Sequence, residues 1–289
     1  VLTALLRTAR PRQWSKNVLV FAAPGAAGVL DQARELGLTV LAFLAFCCAA
    51  SATYVWNDLA DVEADRRHPT KRFRPIAAGE LSVRAARVEG VVLLVGAVGL
   101  SALTGRWQTV AIVATYMVLT ALYSAWLKHI AVIDLVVIAA GFVLRAAGGA
   151  VAVDVPMSRW FVLCVMFGSF FIVAGKRYAE AKELGSEAGT RSTLESYSVE
   201  FLRILLAVSL SGVLISYCVW AFETSGESTS DLPLYELSIV PMLTALLRYL
   251  LVLDQGQGAA PEEVFARDRV LQLLGLCWAI IFGVAVYTA

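Results

Sequence analysis

Charge is scarce in this sequence: only 16% of its 289 residues are Asp, Glu, Lys or Arg, against roughly a quarter in a typical soluble domain. That shortage argues against an ordinary water-soluble enzyme. Histidine is nearly absent, with His68 and His129 alone, which argues against a histidine-built metal centre. The five cysteines, Cys47, Cys48, Cys164, Cys218 and Cys277, all lie in apolar blocks. They lack the spacing of a disulfide framework or a thiolate metal site, and read as small apolar core residues. Net charge is only +1, so the total by itself says nothing about partners; no nucleic-acid partner is expected. No repeat, low-complexity tract or cleavable leader is expected either.

What the sequence has instead is apolar length. Hydrophobic residues make up 59% of the chain, mean hydropathy is +0.72, and the apolar residues fall in long blocks. About 20 such residues cross the hydrocarbon layer as a helix, and backbone groups in lipid must bond within their own segment. The fold class is therefore all-α, a polytopic membrane helical bundle forming one domain over residues 1–289. About nine spans are expected: Asn17–Leu30, Leu36–Trp56, Val83–Leu103, Val110–Leu127, Ile130–Val153, Trp160–Tyr178, Phe201–Phe222, Leu234–Leu253 and Val270–Tyr287. The first is short and contains Pro24. Ahead of it, Leu2–Arg12 mixes leucines with Arg7, Arg10 and Arg12, the pattern of an amphipathic helix on a membrane surface.

Charge asymmetry sets the orientation. With the amino terminus inside, the inner segments hold 19 of the 24 Lys and Arg residues and the outer segments hold Arg34, Arg106 and Arg159. Basic residues gather on the cytoplasmic side of membrane proteins, so the chemistry is expected on the cytoplasmic face of a cell membrane, among membrane lipids. Arg145 and Asp134 fall inside a span. Charges at that depth are costly and face a partner or a polar cavity; Arg145 reads as a structural or a site-lining charge.

Four clusters can carry chemistry. The first is Asn57-Asp58-Leu59-Ala60-Asp61-Val62-Glu63-Ala64-Asp65, where the second span ends. If the helix continues, Asn57, Asp61 and Asp65 follow at i, i+4 and i+8 with Asp58 beside them, on one face. Crowded carboxylates repel, and a divalent cation removes that penalty. Magnesium suits the set because it takes one or two carboxylates and completes its shell with water and phosphate oxygens. The plainer alternative is a polar helix end neutralised by Arg66, Arg67 and Lys71. Tyr54 lies one turn earlier, either within reach of a substrate or as an ordinary interface tyrosine.

The second cluster is the basic loop Arg66–Pro75, given a fixed, non-helical path by Pro69 and Pro75. Lys71 and Arg74 fall near the carboxylates and suit phosphate contacts, whereas Arg66, Arg67 and Arg72 read as loop charges against lipid headgroups. The third is Tyr123-Ser124-Ala125-Trp126-Leu127-Lys128-His129, in which Ser124 and Lys128 can bind sugar hydroxyls and a phosphate. Lys128 is otherwise a plain interface lysine. The fourth is Gly175-Lys176-Arg177-Tyr178-Ala179-Glu180 at the end of the sixth span. Two adjacent cations there suit a phosphate or an anionic headgroup, while Lys176 and Glu180 also have the spacing of a simple helical ion pair.

The Asn57–Asp65 pattern resembles the N-D-x-x-D-x-x-x-D motif of the UbiA superfamily of intramembrane prenyltransferases. The span count, the Lys16 region and the Tyr123–Lys128 stretch agree, and the resemblance covers most of the chain, most specifically Tyr54–Gly79. One departure points to a branch. Members of the superfamily carry a second acidic motif, D-x-x-x-D, after the sixth span, and here Lys176, Arg177 and Glu180 stand in its place. With Pro11-Arg12-Gln13-Trp14-Ser15-Lys16-Asn17, this looks like the branch that transfers phosphoribose to decaprenyl phosphate for arabinan synthesis in mycobacterial-type cell walls.

The resemblance implies a phosphoribosyl pyrophosphate donor, a polyprenyl phosphate acceptor and Mg2+ as cofactor. It implies Asn57, Asp61 and Asp65 as metal ligands, with Asp58 orienting them, and Asp58, Asp61 and Lys176 as the catalytic set. Lys16, Lys71, Arg74, Lys128, Lys176 and Arg177 would hold the donor's 5-phosphate and the acceptor's phosphate. Tyr54, Ser124 and Glu180 would contact ribose hydroxyls or position those cations. The competing expectations are an aromatic-acid prenyltransferase, which needs the missing second acidic motif, and a transporter or lipid-binding scaffold, which no inverted repeat supports. A homo-oligomer stays open.

Overall fold

The computed structural model describes residues 2–184, 196–227, 232–256 and 261–288. All regular structure among them is helical: α1 (Leu2–Ala9), a 3₁₀ helix (Pro11–Phe21), α2 (Ala22–Ala26), α3 (Ala33–Ala60), α4 (Val62–Arg67), α5 (Val83–Ala102), α6 (Trp107–Ala125), α7 (Ile133–Ala152), α8 (Arg159–Leu184), α9 (Val199–Glu227), α10 (Leu234–Leu237), α11 (Ile239–Asp254), α12 (Pro261–Arg267) and α13 (Arg269–Thr288). Short 3₁₀ turns also occur at Lys71–Phe73 and Leu127–His129.

Polar caps start the long helices where the sequence leaves its loops. Ser82 accepts the Ala85 amide, Ser158 the Phe161 amide, Ser198 the Phe201 amide and Asp268 the Leu271 amide. Each satisfies a donor that the first turn leaves without a partner. Among the described residues, eight helices are long and apolar enough to cross a membrane, α10 and α11 counting together. That is the all-helical, multi-span architecture expected, with one difference at the start.

The expected first span, Asn17–Leu30, is not one α-helix. It begins as the 3₁₀ helix of 11 residues and continues into the five-residue α2. A 3₁₀ helix rises about 2.0 Å per residue and an α-helix about 1.5 Å, so laid end to end the two pieces measure about 30 Å, close to the hydrocarbon thickness. Side chains three apart eclipse in this winding. Trp14, Asn17 and Val20 therefore fall in one row, and all three are engaged: the Trp14 indole donates to Ser51 Oγ, Asn17 bonds Arg145 and Cys47, and Val20 is fully buried.

The described residues group into two compact units. One holds the chain up to Trp126 together with Leu144–Pro156; the other holds Leu127–Val143 and the described residues from Met157 onward. In the first, α3 packs against α5, α6 and the 3₁₀ helix through small residues, Ala42, Ala45, Ala49, Ala50 and Ala97 among them. Small residues let helix backbones approach where lipid supplies no hydrophobic drive. Gly149 is the extreme case: a Cβ there would lie 1.8 Å from the Val20 carbonyl oxygen. Arg145, one turn earlier on α7, is buried and donates to Asn17 Oδ1 at 2.7 Å and the Tyr116 hydroxyl at 2.8 Å. Of the two readings open for Arg145, these contacts support the structural one, a polar bolt between α7, α6 and the 3₁₀ helix.

The second unit has a larger-residue core of Phe171, Leu202, Leu206, Tyr249 and Leu253, with Gly212 of α9 lying against the Phe167 ring of α8. Outward-facing Val88, Val92, Val95, Leu273 and Ile280 are more than half exposed, as a lipid-facing surface requires.

Candidate functional site

At about 1.5 Å per residue the 28-residue α3 measures about 42 Å, longer than the hydrocarbon layer is thick. Its last turn carries Asn57 and Asp58. The helix stops at Ala60; Asp61 takes φ −98 and ψ 8 before α4 resumes. Backbone bonds still run from the Asp61 amide to Asn57 and from the Asp65 amide to Asp61, at 3.0 and 2.8 Å. The path thus keeps its four-residue rhythm, but the four polar side chains do not share one environment. Asp58 and Asp65, seven apart, are buried, whereas Asp61 is exposed and Asn57 half-buried.

The buried pair is compensated by arginines. Asp58 Oδ1 accepts from Arg10 at 2.7 Å and from Arg74 at 3.0 Å, and Arg74 also donates to Asp65 Oδ2 at 2.7 Å. Buried carboxylates need such partners, because an uncompensated charge out of water is heavily penalised. Arg10 reaches Asp58 from the junction of α1 and the 3₁₀ helix, in a left-handed conformation at φ 54, and its guanidinium lies 4.8 Å over the Tyr54 ring. Arg7 ties the same junction to the basic loop through Glu80 and the Phe73 carbonyl, at 2.6 and 3.1 Å. Asp61 makes no ion pair among the described residues, so its charge is the one this cluster leaves over.

Among the described residues no three His, Cys, Asp or Glu side chains are poised together for a metal. Magnesium does not need three, since it keeps several waters and binds through one or two carboxylates. Asn57 and Asp61, one helical turn apart with the carboxylate exposed and uncompensated, fit such an ion. Asp58 and Asp65 meet guanidinium groups instead.

The second unit carries the counterpart at the end of α8. Arg177 is buried and donates to Glu180 Oε2 at 2.9 Å and to Asp134 Oδ2 at 3.4 Å. Asp134, fully buried at the start of α7, also accepts the Tyr197 hydroxyl at 2.5 Å. Lys176 is 46% exposed and no nearer than 4.0 Å to Glu180 Oε1. Here the accessible charge is positive.

The other expected site residues lie as follows. In the first unit, Lys71 is exposed beside the loop that holds Arg74, Lys16 donates to Gln13 at 2.5 Å on the 3₁₀ helix, and Ser124 is half-buried near the end of α6. In the second, Lys128 sits half-buried on the 3₁₀ turn Leu127–His129. Arg74 and Arg177, expected to hold phosphates, spend guanidinium nitrogens on protein carboxylates. Arg191, expected among the inner basic residues, lies outside the described residues. Arg10, Asp134 as a partner of Arg177, and Tyr197 did not emerge as site residues from the sequence. The only signals were an arginine before a proline and an acid inside a span.

Comparison with known proteins bears on the family and the fold. The UbiA prenyltransferase family matches residues 18–275. A decaprenyl-phosphate phosphoribosyltransferase of Corynebacterium glutamicum is 44% identical, covering 98% of this chain and 86% of its own. One from Mycobacterium tuberculosis is 43% identical over 99% of this chain and 95% of its own. The backbone resembles that of a UbiA homolog from Archaeoglobus fulgidus bound to GPP and Mg2+, with a TM-score of 0.72, 19% identity and coverage of 99% and 100% of the two chains.

Proposed function

The chain belongs to the UbiA prenyltransferase family, and from that premise we propose that it transfers the 5-phosphoribosyl group of phosphoribosyl pyrophosphate to a polyprenyl phosphate held in the bilayer. Pyrophosphate leaves, and the product feeds cell-wall arabinan synthesis. Relatives more than 40% identical over nearly the whole chain carry the name of a transferase acting on decaprenyl phosphate. The observation that carries the reading is the opposite sign of the two accessible charges, Asp61 at the end of α3 and Lys176 at the end of α8. A prenyl diphosphate site with two metals needs acids in both places. The acidic place suits a metal-bound diphosphate, and the basic place, taken by itself, suits a further phosphate.

Asn57 and Asp61 would hold magnesium, which when bound neutralises the departing pyrophosphate. Asp65 and Asp58 keep Arg74 and Arg10 against the same helix end and hold the local charge near balance. Exposed Lys71 and half-buried Lys16 are the candidate cations in the first unit, and half-buried Lys128 and exposed Lys176 those in the second, for the donor's 5-phosphate and the acceptor phosphate. Tyr54 and Ser124 offer hydroxyls to the ribose.

In the transfer, an oxygen of the lipid phosphate forms a bond to the anomeric carbon as the bond from that carbon to the pyrophosphate oxygen breaks. The lipid phosphate is already ionised near neutral pH, so no side chain has to remove a proton. Positive charge grows on the ring as in other glycosyl transfers. Holding the two phosphates supplies the alignment from which most of the rate follows. The whole chain acts as one transmembrane domain, with its reactive end on the cytoplasmic face of the plasma membrane.

The test is direct. Purified protein is given Mg2+, labelled phosphoribosyl pyrophosphate and a polyprenyl phosphate, and label is followed into the lipid phase, where it should appear and should vanish with excess chelator. A parallel reaction with a prenyl diphosphate and an aromatic acid should give no product. Product only in the second reaction would overturn the proposal in favour of aromatic prenylation.

A further inference from the structure

The turn before α7 holds a conformation that its own residue does not favour. Val132 lies at φ 70, in the left-handed region that β-branched residues rarely adopt. The residue is 49% exposed, so close packing does not impose that shape. A hydrogen bond does: the Val132 amide donates to the Tyr197 hydroxyl at 2.5 Å, and that hydroxyl donates to Asp134 Oδ1 at 2.5 Å. Asp134 continues to Arg177, and Arg177 to Glu180. Tyr197 is itself buried and stacked on Phe201, ring centroids 5.6 Å apart and planes 8° from parallel. Burial, reinforced by the hydrogen bond to Asp134, pushes its phenol up to about 12, so the hydroxyl keeps its proton and both bonds at any physiological pH.

On the chain side, the strained residue closes a short, internally bonded turn. The Ile130 amide donates to Leu127 at 3.1 Å and the Asp134 amide to Ile130 at 3.0 Å. Lys128 rides on that turn, six residues before Asp134, the acid that anchors α7 to α8. One phenolic hydroxyl therefore connects the end of α8, which bears Lys176, to the turn that bears Lys128.

We infer that Tyr197 is a positioning residue: by holding Val132 in its left-handed conformation against Asp134, it fixes the turn Leu127–Val132 and with it the direction of Lys128 for phosphate binding. This rests on the phosphate role proposed above for Lys128. The hydroxyl is spent on the Val132 amide and on Asp134, so its effect is transmitted through the backbone of the turn. Glycine takes positive φ at no steric cost, which makes the device separable from ordinary packing: a glycine at position 132 holds the shape without the latch.

Tyr197→Phe keeps the ring and its stacking and removes the hydroxyl. The KM for phosphoribosyl pyrophosphate should rise about tenfold with kcat changed far less, as expected when a binding group is displaced by a fraction of an ångström. Val132→Gly added to Tyr197→Phe should bring KM back to within about threefold of the wild type. Hydrogen exchange in the unmodified protein provides a second reading that needs no variant and no activity: the Val132 amide should be protected despite its exposed side chain. Rapid exchange there, an unchanged KM in Tyr197→Phe, or failure of the glycine to restore KM would each overturn the latch. Lys128→Ala distinguishes the two claims. If it leaves KM unchanged while the Val132 amide is protected, the phosphate role of Lys128 is what fails, and the positioning claim falls with it.

Discussion

At the end of α3 two buried carboxylates, Asp58 and Asp65, share two arginines; at the end of α8 one buried guanidinium, Arg177, is shared by two acids. The clusters are inverses of each other. Each neutralises the charge it takes out of water and leaves a charged group that water can reach, Asp61 in the first and Lys176 in the second. The difference lies in depth. Arg74 is 27% exposed and Arg177 only 4%, so solvent reaches the guanidinium of the first cluster and scarcely that of the second, although the carboxylates Asp58 and Asp65 are themselves buried. A wet cluster can exchange a guanidinium for an incoming ion at modest cost. A dry one holds its shape, which suits a framework that aims a lysine.

The sharpest way to break that comparison is Asp61→Asn. It should lower transfer by about a thousandfold or more while leaving the unfolding midpoint in detergent unchanged, because the carboxylate is exposed and makes no ion pair among the described residues. Full activity would show that the accessible negative charge is incidental. The depth difference is tested by Arg177→Met against Arg74→Met. Removing Arg177 leaves Asp134 buried without its cation and should cost about 3–5 kcal/mol; removing Arg74 also leaves a buried carboxylate, Asp65, without its cation, but water reaches that guanidinium and Arg10 still serves Asp58, so the cost should be smaller, roughly 2–3 kcal/mol. Equal shifts in denaturation would mean that the two clusters are equally wet. The smallest effect is expected at Lys176. Its change to Ala should reduce kcat/KM for the donor by about tenfold without altering stability, and Arg should restore most of the loss, since a phosphate contact asks mainly for a cation. Unchanged kinetics would make the accessible positive charge a solvated bystander.

Much of this was legible in the sequence, and the exceptions share a cause. Apolar runs placed the spanning helices within a few residues: Leu36–Trp56 was expected where α3 covers Ala33–Ala60, and Trp160–Tyr178 where α8 covers Arg159–Leu184. The Asn57–Asp65 pattern and its family were readable because local spacing carries them. The inward turn of Asp58 and Asp65 was not, because their arginines come from elsewhere: Arg10 lies 48 positions before Asp58. Tyr197 lies 65 positions from Val132, and a left-handed valine has no signature of its own. For Asp134 and Arg145 the sequence indicated that a partner must exist, from the cost of charge at that depth, without saying which. The first span misled for a different reason: an apolar run reveals burial, but not whether the backbone winds at three residues per turn or at 3.6.

That winding has a consequence for how the chain tolerates change. Trp14, Asn17 and Val20 reach their partners only because they recur every third position along Pro11–Phe21. The segment behaves as a toothed rack, engaged at Ser51, at Arg145 and at the backbone notch of Gly149. Inserting or deleting one residue between Trp14 and Val20 would shift the phase by about 120° and disengage every tooth beyond the change. Even a conservative replacement that preserves apolar character can be harmless there, while a change of length by a single residue cannot.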